Sequence, residues 1–199
     1  MTNNFYRWAA GRKRLRLQTG LPLSVRMASE YLVVSGSRKP QSRSRILASY
    51  LLDYYQTNAL EAEILDLRDF DLPFCDGDTA YDDPEAIRCN QIVATARVIV
   101  VAAPIYNFDL SATVKNLLEL TGQSWESKIV GFACAAGGYA SYMSVMAFAN
   151  SLMLDFRCLV IPRFVFATGE DFANGQLVSE EVKRRLLELG EMSTRVRYT

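Results

Sequence analysis

The 199-residue chain contains no histidine. Catalytic triads and metal sites that depend on an imidazole are therefore excluded. Cysteine is scarce, and Cys75, Cys89, Cys134 and Cys158 are too widely spaced to form a zinc or iron–sulfur motif. Scattered cysteines of this kind indicate free thiols in a reducing compartment, so we expect a cytoplasmic protein without a metal.

The chain also lacks a net charge, because its 22 basic residues balance its 22 acidic residues. No overall field points to nucleic acid, and no apolar run is long enough to cross a membrane. The charges are nevertheless uneven. Residues 1–28 hold six of the basic residues and no acidic one, which leaves 16 basic and 22 acidic residues, a net of −6, in 29–199. An anion site in that part must rely on local donors.

The basic N-terminal segment, residues 1–28, lacks the apolar periodicity of a helix or strand. Three interpretations fit it: a basic arm for an acidic partner, an arginine-rich organelle-targeting peptide, and a disordered leader. We favour the leader because termini without packing signals are usually disordered. Such a leader would also arise if the start codon were assigned too early, with Met27 as the true start, since Met27 directly precedes the first apolar strand pattern. We predict one folded domain over residues 29–199.

From Tyr31 onwards, strand patterns alternate with helix patterns. The predicted strands are Tyr31–Ser35, Glu63–Leu67, Val98–Ala103, Lys128–Ala135 and Arg157–Ala167, the last broken by Pro162. The predicted helices run over 44–56, from Asp83-Pro84, from Ser111, over Ser141–Asp155, and over Ser179–Gly190 with Gly190 as C-cap. This alternation predicts an α/β three-layer sandwich with a five-stranded parallel sheet. Order 2-1-3-4-5 is the common solution, with a ligand crevice at the carboxyl ends of strands 1 and 3.

The loop after the first strand is rich in hydroxyl groups and cations. Its candidate ligand residues are Ser37, Arg38, Lys39, Ser42 and Ser44, directly before a predicted helix. A helix N-terminus with charge-assisted donors favours a phosphate, although a solvated basic turn has a similar composition. The position after the first buried strand favours phosphate binding. The loop matches neither the GxxxxGK[ST] nor the GxGxxG pattern, so nucleoside triphosphates and dinucleotides are not expected here.

Two further loops are predicted to meet the first at the same edge of the sheet. The candidates are Pro104, Ile105, Tyr106 and Asn107 after the third strand, and Gly137, Gly138 and Tyr139 after the fourth. The first group combines apolar surface with polar edge groups, which suits a flat heteroaromatic ring. The paired glycines allow close approach of the backbone to a ligand. Each loop alone fits an ordinary turn equally well, and it is their convergence that favours a binding site.

These motifs resemble the NADPH-dependent FMN reductase family. The family pattern is Gly-Ser/Thr-x-Arg-x-x-Ser, then Pro-Glu-Tyr-Asn, then Lys-Asn, and this chain has Gly36-Ser37 with Ser42, Pro104-Ile105-Tyr106-Asn107, and Lys115-Asn116. The segment Ser-Arg-Ile-Leu-Ala-Ser-Tyr and the loop Phe70-Asp71-Leu72-Pro73 look like those of its azobenzene reductase members. The resemblance runs from about Tyr31 to Ala167. The chain departs from the pattern where Lys39 takes the arginine position, Ile105 replaces the glutamate, and Ala140-Ser141 replace a second glycine pair.

The resemblance implies a flavodoxin-like fold that holds FMN non-covalently and takes electrons from NADPH or NADH. Carried over by position, Ser37, Ser42 and Ser44 would bind the FMN phosphate together with Arg38 or Lys39. Residues 104–107 would wrap the isoalloxazine ring, and residues 137–139 would line its other edge. Lys115-Asn116 would stabilise the fold.

The predicted function is transfer of hydride from NAD(P)H through FMN to a small acceptor such as free FMN, a quinone, an azo compound or a metal oxyanion. The cofactor carries the chemistry, and no side chain is assigned as acid or base. The alternatives are a non-catalytic FMN electron carrier or redox sensor, which the net charge of −6 permits, and a flavodoxin-fold regulator without cofactor. Family members usually form dimers or tetramers, and the apolar Ser141–Asp155 helix predicts a homodimer or homotetramer.

Overall fold

The central sheet is parallel and lies between two layers of helices. The computed structural model describes residues 29–198, so the basic extension predicted over residues 1–28 lies outside the described residues. The strands are β1 (Tyr31–Ser35), β2 (Ala62–Asp66), β3 (Val98–Tyr106), β4 (Asp109–Leu110), β5 (Ile129–Ala135), β6 (Leu159–Val160), β7 (Val165–Ala167), β8 (Phe172–Ala173) and β9 (Gln176–Leu177). The helices are α1 (Arg43–Thr57), α2 (Pro84–Thr95), α3 (Ala112–Thr121), α4 (Met146–Phe156) and α5 (Glu180–Arg195).

The strand order is β2-β1-β3-β5, and β6 and β7 both pair with β5 at the far edge. This confirms the predicted α/β fold and the order 2-1-3-4-5, with the fifth strand divided in two around Pro162. A proline lacks an amide donor and interrupts a strand in this way. The additional strands are short and antiparallel: β4 folds back on β3, and β8 pairs with β9.

Helices cover both faces of the sheet, which explains the apolar run of β3. Val98, Val100 and Ala102 pack in the cluster that includes residues of α1 and α5. Ile99 and Val101 pack in the other cluster, with residues of α2, α3 and α4. A strand buried on both faces has no polar alternation, so the sequence correctly indicated a central strand.

Two helix predictions are wrong in their bounds. The segment predicted as the start of a helix at Ser141 is instead a 3-10 turn over Tyr139–Val145, and α4 begins at Met146. Within this turn the Tyr142 ring stacks on that of Phe164, with centroids 4.6 Å apart. Tertiary packing here overrides the apolar helix pattern.

Gly190 is not a C-cap, because α5 continues past it to Arg195. A Cβ atom at Gly190 would lie 2.5 Å from Cδ1 of Tyr54 on α1. The missing side chain therefore lets α1 and α5 approach each other closely. The sequence indicated a glycine with a structural purpose, but the purpose is helix packing rather than helix termination.

Candidate functional site

The β1–α1 loop brings three serine hydroxyls to the N-terminus of α1. Ser42 is the N-cap, and its Oγ accepts a hydrogen bond from the Arg45 amide at 3.4 Å and lies 2.9 Å from Ser44 Oγ. Ser37 Oγ accepts from the amide of Lys39 at 3.2 Å. All three serines are buried. Hydroxyls, free first-turn amides and the positive end of the helix dipole together form an environment that attracts an anion.

The cations of this loop differ in how the protein uses them. The contacts to other parts of the protein are a hydrogen bond from Arg38 Nη1 to the Phe70 carbonyl (3.0 Å), a cation–π contact of Arg43 with Phe172 (5.8 Å) and an ion pair of Arg45 with Asp66. Lys39 is exposed, and its ammonium makes no hydrogen bond or ion pair with any residue from 29 to 198. Lys39 is therefore available for a ligand, and Arg38, which makes one hydrogen bond to a backbone carbonyl, is available in part.

The second loop is a hairpin. β3 extends to Tyr106, and Asn107 and Phe108 have positive φ angles of 51° and 62° before the chain returns along β4. Tyr106 pairs with Asp109 across this two-residue turn. Pairs of positive φ angles are typical of tight hairpins whose twist matches the strands. The hairpin fixes the backbone of the predicted ring-binding residues and leaves the Tyr106 side chain exposed.

Hydrogen bonds to one carbonyl group join the first two loops. Ser111 Oγ and Thr113 Oγ1 both donate to the Gly36 carbonyl, at 3.0 and 2.5 Å. A Cβ atom at Gly36 would lie 2.2 Å from Cγ2 of Val114, so glycine is needed for this close packing against α3. Ser111 is the N-cap residue of α3, but its side chain makes no cap bond and its hydroxyl donates to the loop.

The third loop presents open backbone beside the hairpin. A Cβ atom at Gly137 or Gly138 would meet nothing within 4 Å, so free space adjoins this stretch. Tyr139 follows, 63% exposed, with its ring centroid 6.4 Å from that of Phe166. The 3-10 turn that begins at Tyr139 contacts β4. The three predicted loops therefore lie together at the carboxyl edge of the sheet, with the hairpin in the middle.

The buried cysteine thiols are expected to be unreactive. Burial raises the pKa of Cys89 and of Cys134 to about 12 and that of Cys158 to about 11. Thiols with such pKa values are protonated at neutral pH and are poor nucleophiles. Within residues 29–198 the structure shows no cluster of three acidic or cysteine side chains that could hold a metal ion. It likewise shows no helix there that is long and apolar enough to cross a membrane.

Asn116 has a structural role whose partners the sequence did not identify. Its Oδ1 accepts a hydrogen bond from the Cys75 amide at 2.9 Å, and its Nδ2 donates to the Pro73 carbonyl at 2.9 Å. The side chain thereby clamps the β2–α2 loop to α3. This matches the expectation that the Lys-Asn motif stabilises the fold, and the motif was the one signal that pointed to it.

Comparison with known proteins assigns this arrangement to a family. The sequence model described as "NADPH-dependent FMN reductase" matches residues 30–173, most of the described chain. The chain belongs to the NADPH-dependent FMN reductase family. The predicted resemblance is thus confirmed, and so are FMN as cofactor and NADPH or NADH as co-substrate of an oxidoreductase of this family.

Two reductases to which this chain is similar share about a quarter of its residues over the matched length. An NAD(P)H-dependent FAD/FMN reductase of Geobacillus thermodenitrificans is 28% identical over 134 residues, covering 65% of this chain and 72% of the relative. An NADPH azoreductase of Bacillus sp. strain OY1-2 is 26% identical over 148 residues, covering 73% and 80%.

Solved structures confirm the fold at lower identity. An NADH:FMN oxidoreductase in its apo form gives a TM-score of 0.67 at 18% identity, covering 81% of this chain and 86% of the other. An azoreductase from Bacillus anthracis gives a TM-score of 0.63 at 16% identity, covering 84% and 100%. The flavodoxin-like architecture of the NADPH-dependent FMN reductase family is therefore that of this chain.

The residues at the carboxyl edge fit FMN. No carboxylate occurs among the predicted ligand residues, and the hydroxyls and Lys39 suit a doubly charged phosphate. Ser35, at the end of β1, has a buried Oγ with no partner among the described residues. Buried polar atoms normally have a hydrogen-bond partner, so an orphan at this edge is consistent with a ligand group. The open backbone at Gly137 and Gly138 leaves room for a flat ring.

Proposed function

We propose that this protein is an NAD(P)H-dependent reductase that uses bound FMN to reduce a small organic acceptor such as free FMN, a quinone or an azo compound. The observation that carries the proposal is the meeting of three loops at one sheet edge, two of them joined through the Gly36 carbonyl. Bound FMN supplies hydride and electron transfer, and the protein supplies binding and orientation.

The proposed ligand residues divide into two groups. Ser37, Ser42 and Ser44 offer hydroxyls to the phosphate, and Lys39 offers a charge; Arg38 stays a predicted ligand whose guanidinium binds the Phe70 carbonyl here. Pro104, Ile105, Tyr106 and Asn107 flank one edge of the ring, and Gly137, Gly138 and Tyr139 flank the other. The exposed rings of Tyr106 and Tyr139, together with the open backbone at Gly137 and Gly138, favour flat aromatic acceptors.

Anaerobic reduction of the FMN-loaded protein tests this function. NADPH and then NADH are mixed with the protein, and the visible flavin band is followed. Bleaching by at least one nucleotide, and recovery on addition of a quinone or an azo dye, is the expected result. The control is free FMN with the same nucleotides and no protein.

The opposite result would favour the electron-carrier alternative. If neither nucleotide bleaches the bound flavin at rates typical of enzymes, about 1–1,000 per second, the reductase proposal is wrong. A non-catalytic carrier would then be the better interpretation, since the acidic excess of residues 29–199 suits docking to a basic partner.

A further inference from the structure

A cavity lies outside the loops proposed to hold the flavin ring. It has a volume of about 310 Å³ and opens between the β2–α2 loop and the start of α3. Leu72, Phe74 and Ala112 contribute apolar walls, and Arg38 and Asp71 contribute the charged groups. This volume is at the lower end of the range for small-molecule sites, which is roughly 300–1,000 Å³.

One side chain holds the wall formed by the β2–α2 loop at two points. The Asn116 side chain binds the Pro73 carbonyl and the Cys75 amide. Between these two residues Phe74 is 87% exposed, although it belongs to a clamped segment. An exposed phenylalanine on a backbone segment that is held in place beside a cavity offers a stacking surface for an aromatic ring.

Two features give the cavity a preference for an anion. The Arg38 guanidinium is fixed by one hydrogen bond to the Phe70 carbonyl and keeps its other N–H groups, and it forms no ion pair with a carboxylate of the described chain. The cavity also borders the first turn of α3, where the side chain of the N-cap residue Ser111 makes no cap bond and donates to the Gly36 carbonyl. Uncapped first-turn amides and a nearby guanidinium both stabilise negative charge.

We propose that this cavity binds a planar aromatic ring that carries a phosphate or sulfonate group. The ring packs between Phe74, Leu72 and Ala112, and the anionic group binds Arg38 beside the start of α3. The adenosine 2′-phosphate end of NADPH and an anionic aromatic acceptor share this chemistry. The assignment of the ligand as NADPH or as an acceptor rests on the proposed reductase function. The binding of an anionic aromatic ring in the cavity does not depend on that function.

Calorimetric titration of the full, FMN-saturated protein tests the binding. Saturation with FMN fills the proposed phosphate site at Ser37, Lys39, Ser42 and Ser44, so the probes do not bind there. The probes are adenosine 2′-monophosphate and naphthalene-2-sulfonate, and their neutral counterparts are adenosine and 2-naphthol. We expect at least one anionic probe to bind more tightly than its neutral counterpart by roughly ten- to a hundredfold, as for a charge-assisted hydrogen bond.

Variants locate the binding. Arg38→Gln should abolish the advantage of the anionic probe, and Phe74→Ala should weaken both members of a pair. Asp71→Asn should increase the affinity for the anionic probe, because it removes the negative charge among the residues that line the cavity. Arg195→Gln is the matched control, since Arg195 lies on α5 and pairs with Glu191. Phe74 is not among the predicted FMN ligands, so its variant is informative even if Arg38→Gln lowers FMN affinity.

The outcomes separate the two ligand sources and the two proposals. A KM for NADPH that rises in Arg38→Gln while the KM for NADH does not would identify the nucleotide as the source. Selective binding of the sulfonate would identify an aromatic acceptor. Absence of binding by both anions, or binding that survives Arg38→Gln and Phe74→Ala, overturns the cavity proposal even where NADPH still bleaches the flavin. Bound probes without flavin reduction overturn the reductase proposal alone.

Discussion

Lys39 is a loop cation whose ammonium has no hydrogen-bond or ion-pair partner in the described part of the protein, and it follows Ser37 by two residues. We predict that Lys39→Gln weakens FMN binding by roughly ten- to a hundredfold, because a charge-assisted bond to the phosphate is lost. Riboflavin, which lacks the phosphate, should bind the variant and the native protein equally. Fluorescence titration of the apoprotein measures both affinities.

The control for this prediction is Lys115→Gln, which removes an exposed lysine that pairs with Glu119 on α3. It should leave both flavins unaffected. An unchanged FMN affinity in Lys39→Gln, or an equal loss for riboflavin, would remove Lys39 from the phosphate site.

The site shows what a sequence can and cannot reveal about single residues. Ser37, Ser42 and the glycines could be assigned to one edge because the positions of strand ends follow from the backbone pattern. The direction of the arginines could not, because a long side chain selects its partner in three dimensions. Arg38 binds the carbonyl of Phe70, 32 residues away. The apolar wall of the cavity beside Arg38 could not be predicted either, because its residues come together only in three dimensions.

At the scale of elements, the contact between α1 and α5 depends on a missing side chain. In Gly190→Ala the new Cβ meets the Tyr54 ring at 2.5 Å, and overpacking of this kind usually costs about 1–3 kcal/mol. A gain of about 1 kcal/mol in helix propensity offsets part of this cost, so the free energy of unfolding should fall by up to about 2 kcal/mol. Urea denaturation measures the difference.

A double-variant cycle distinguishes the two effects. In a Tyr54→Ala background the clash is gone, so Gly190→Ala should be neutral or stabilising there. If Gly190→Ala stabilises the native protein as well, the close approach of the two helices is not what requires the glycine.

The longer elements could be predicted, whereas three of the two-residue strands could not. The Asp83-Pro84 start of α2 is correct in detail, with Asp83 as N-cap and Pro84 in the first turn, because local capping chemistry decides it. β4, β8 and β9 have two residues each and carry no periodicity that a sequence could display. The hairpin turn Asn107-Phe108 also lacks the glycine that usually marks such turns.

For the whole molecule, the apolar surface of α4 and the turn before it predicts self-association. Phe148 and Leu152 are buried, whereas Met143, Met146, Met153 and Leu154 are exposed, Leu154 by 76%. We predict a homodimer or homotetramer that covers this surface. Light scattering at micromolar concentration gives the mass. Leu154→Glu should shift it towards the monomer, and Leu187→Glu on α5 should not. A monomeric native protein would contradict the prediction.

The division of the last sheet strand at Pro162 has a consequence for polymerisation. An edge strand with a regular row of free amides and carbonyls is a template for strands of other chains, and such templates seed fibrils. Here the edge beside β5 consists of a two-residue and a three-residue strand. Between them stand Pro162, which has no amide donor, and Arg163 with a φ of 60°. This edge of the sheet therefore offers no regular template, and within the described residues any edge-to-edge pairing with another chain has to start at β2, the strand at the opposite edge.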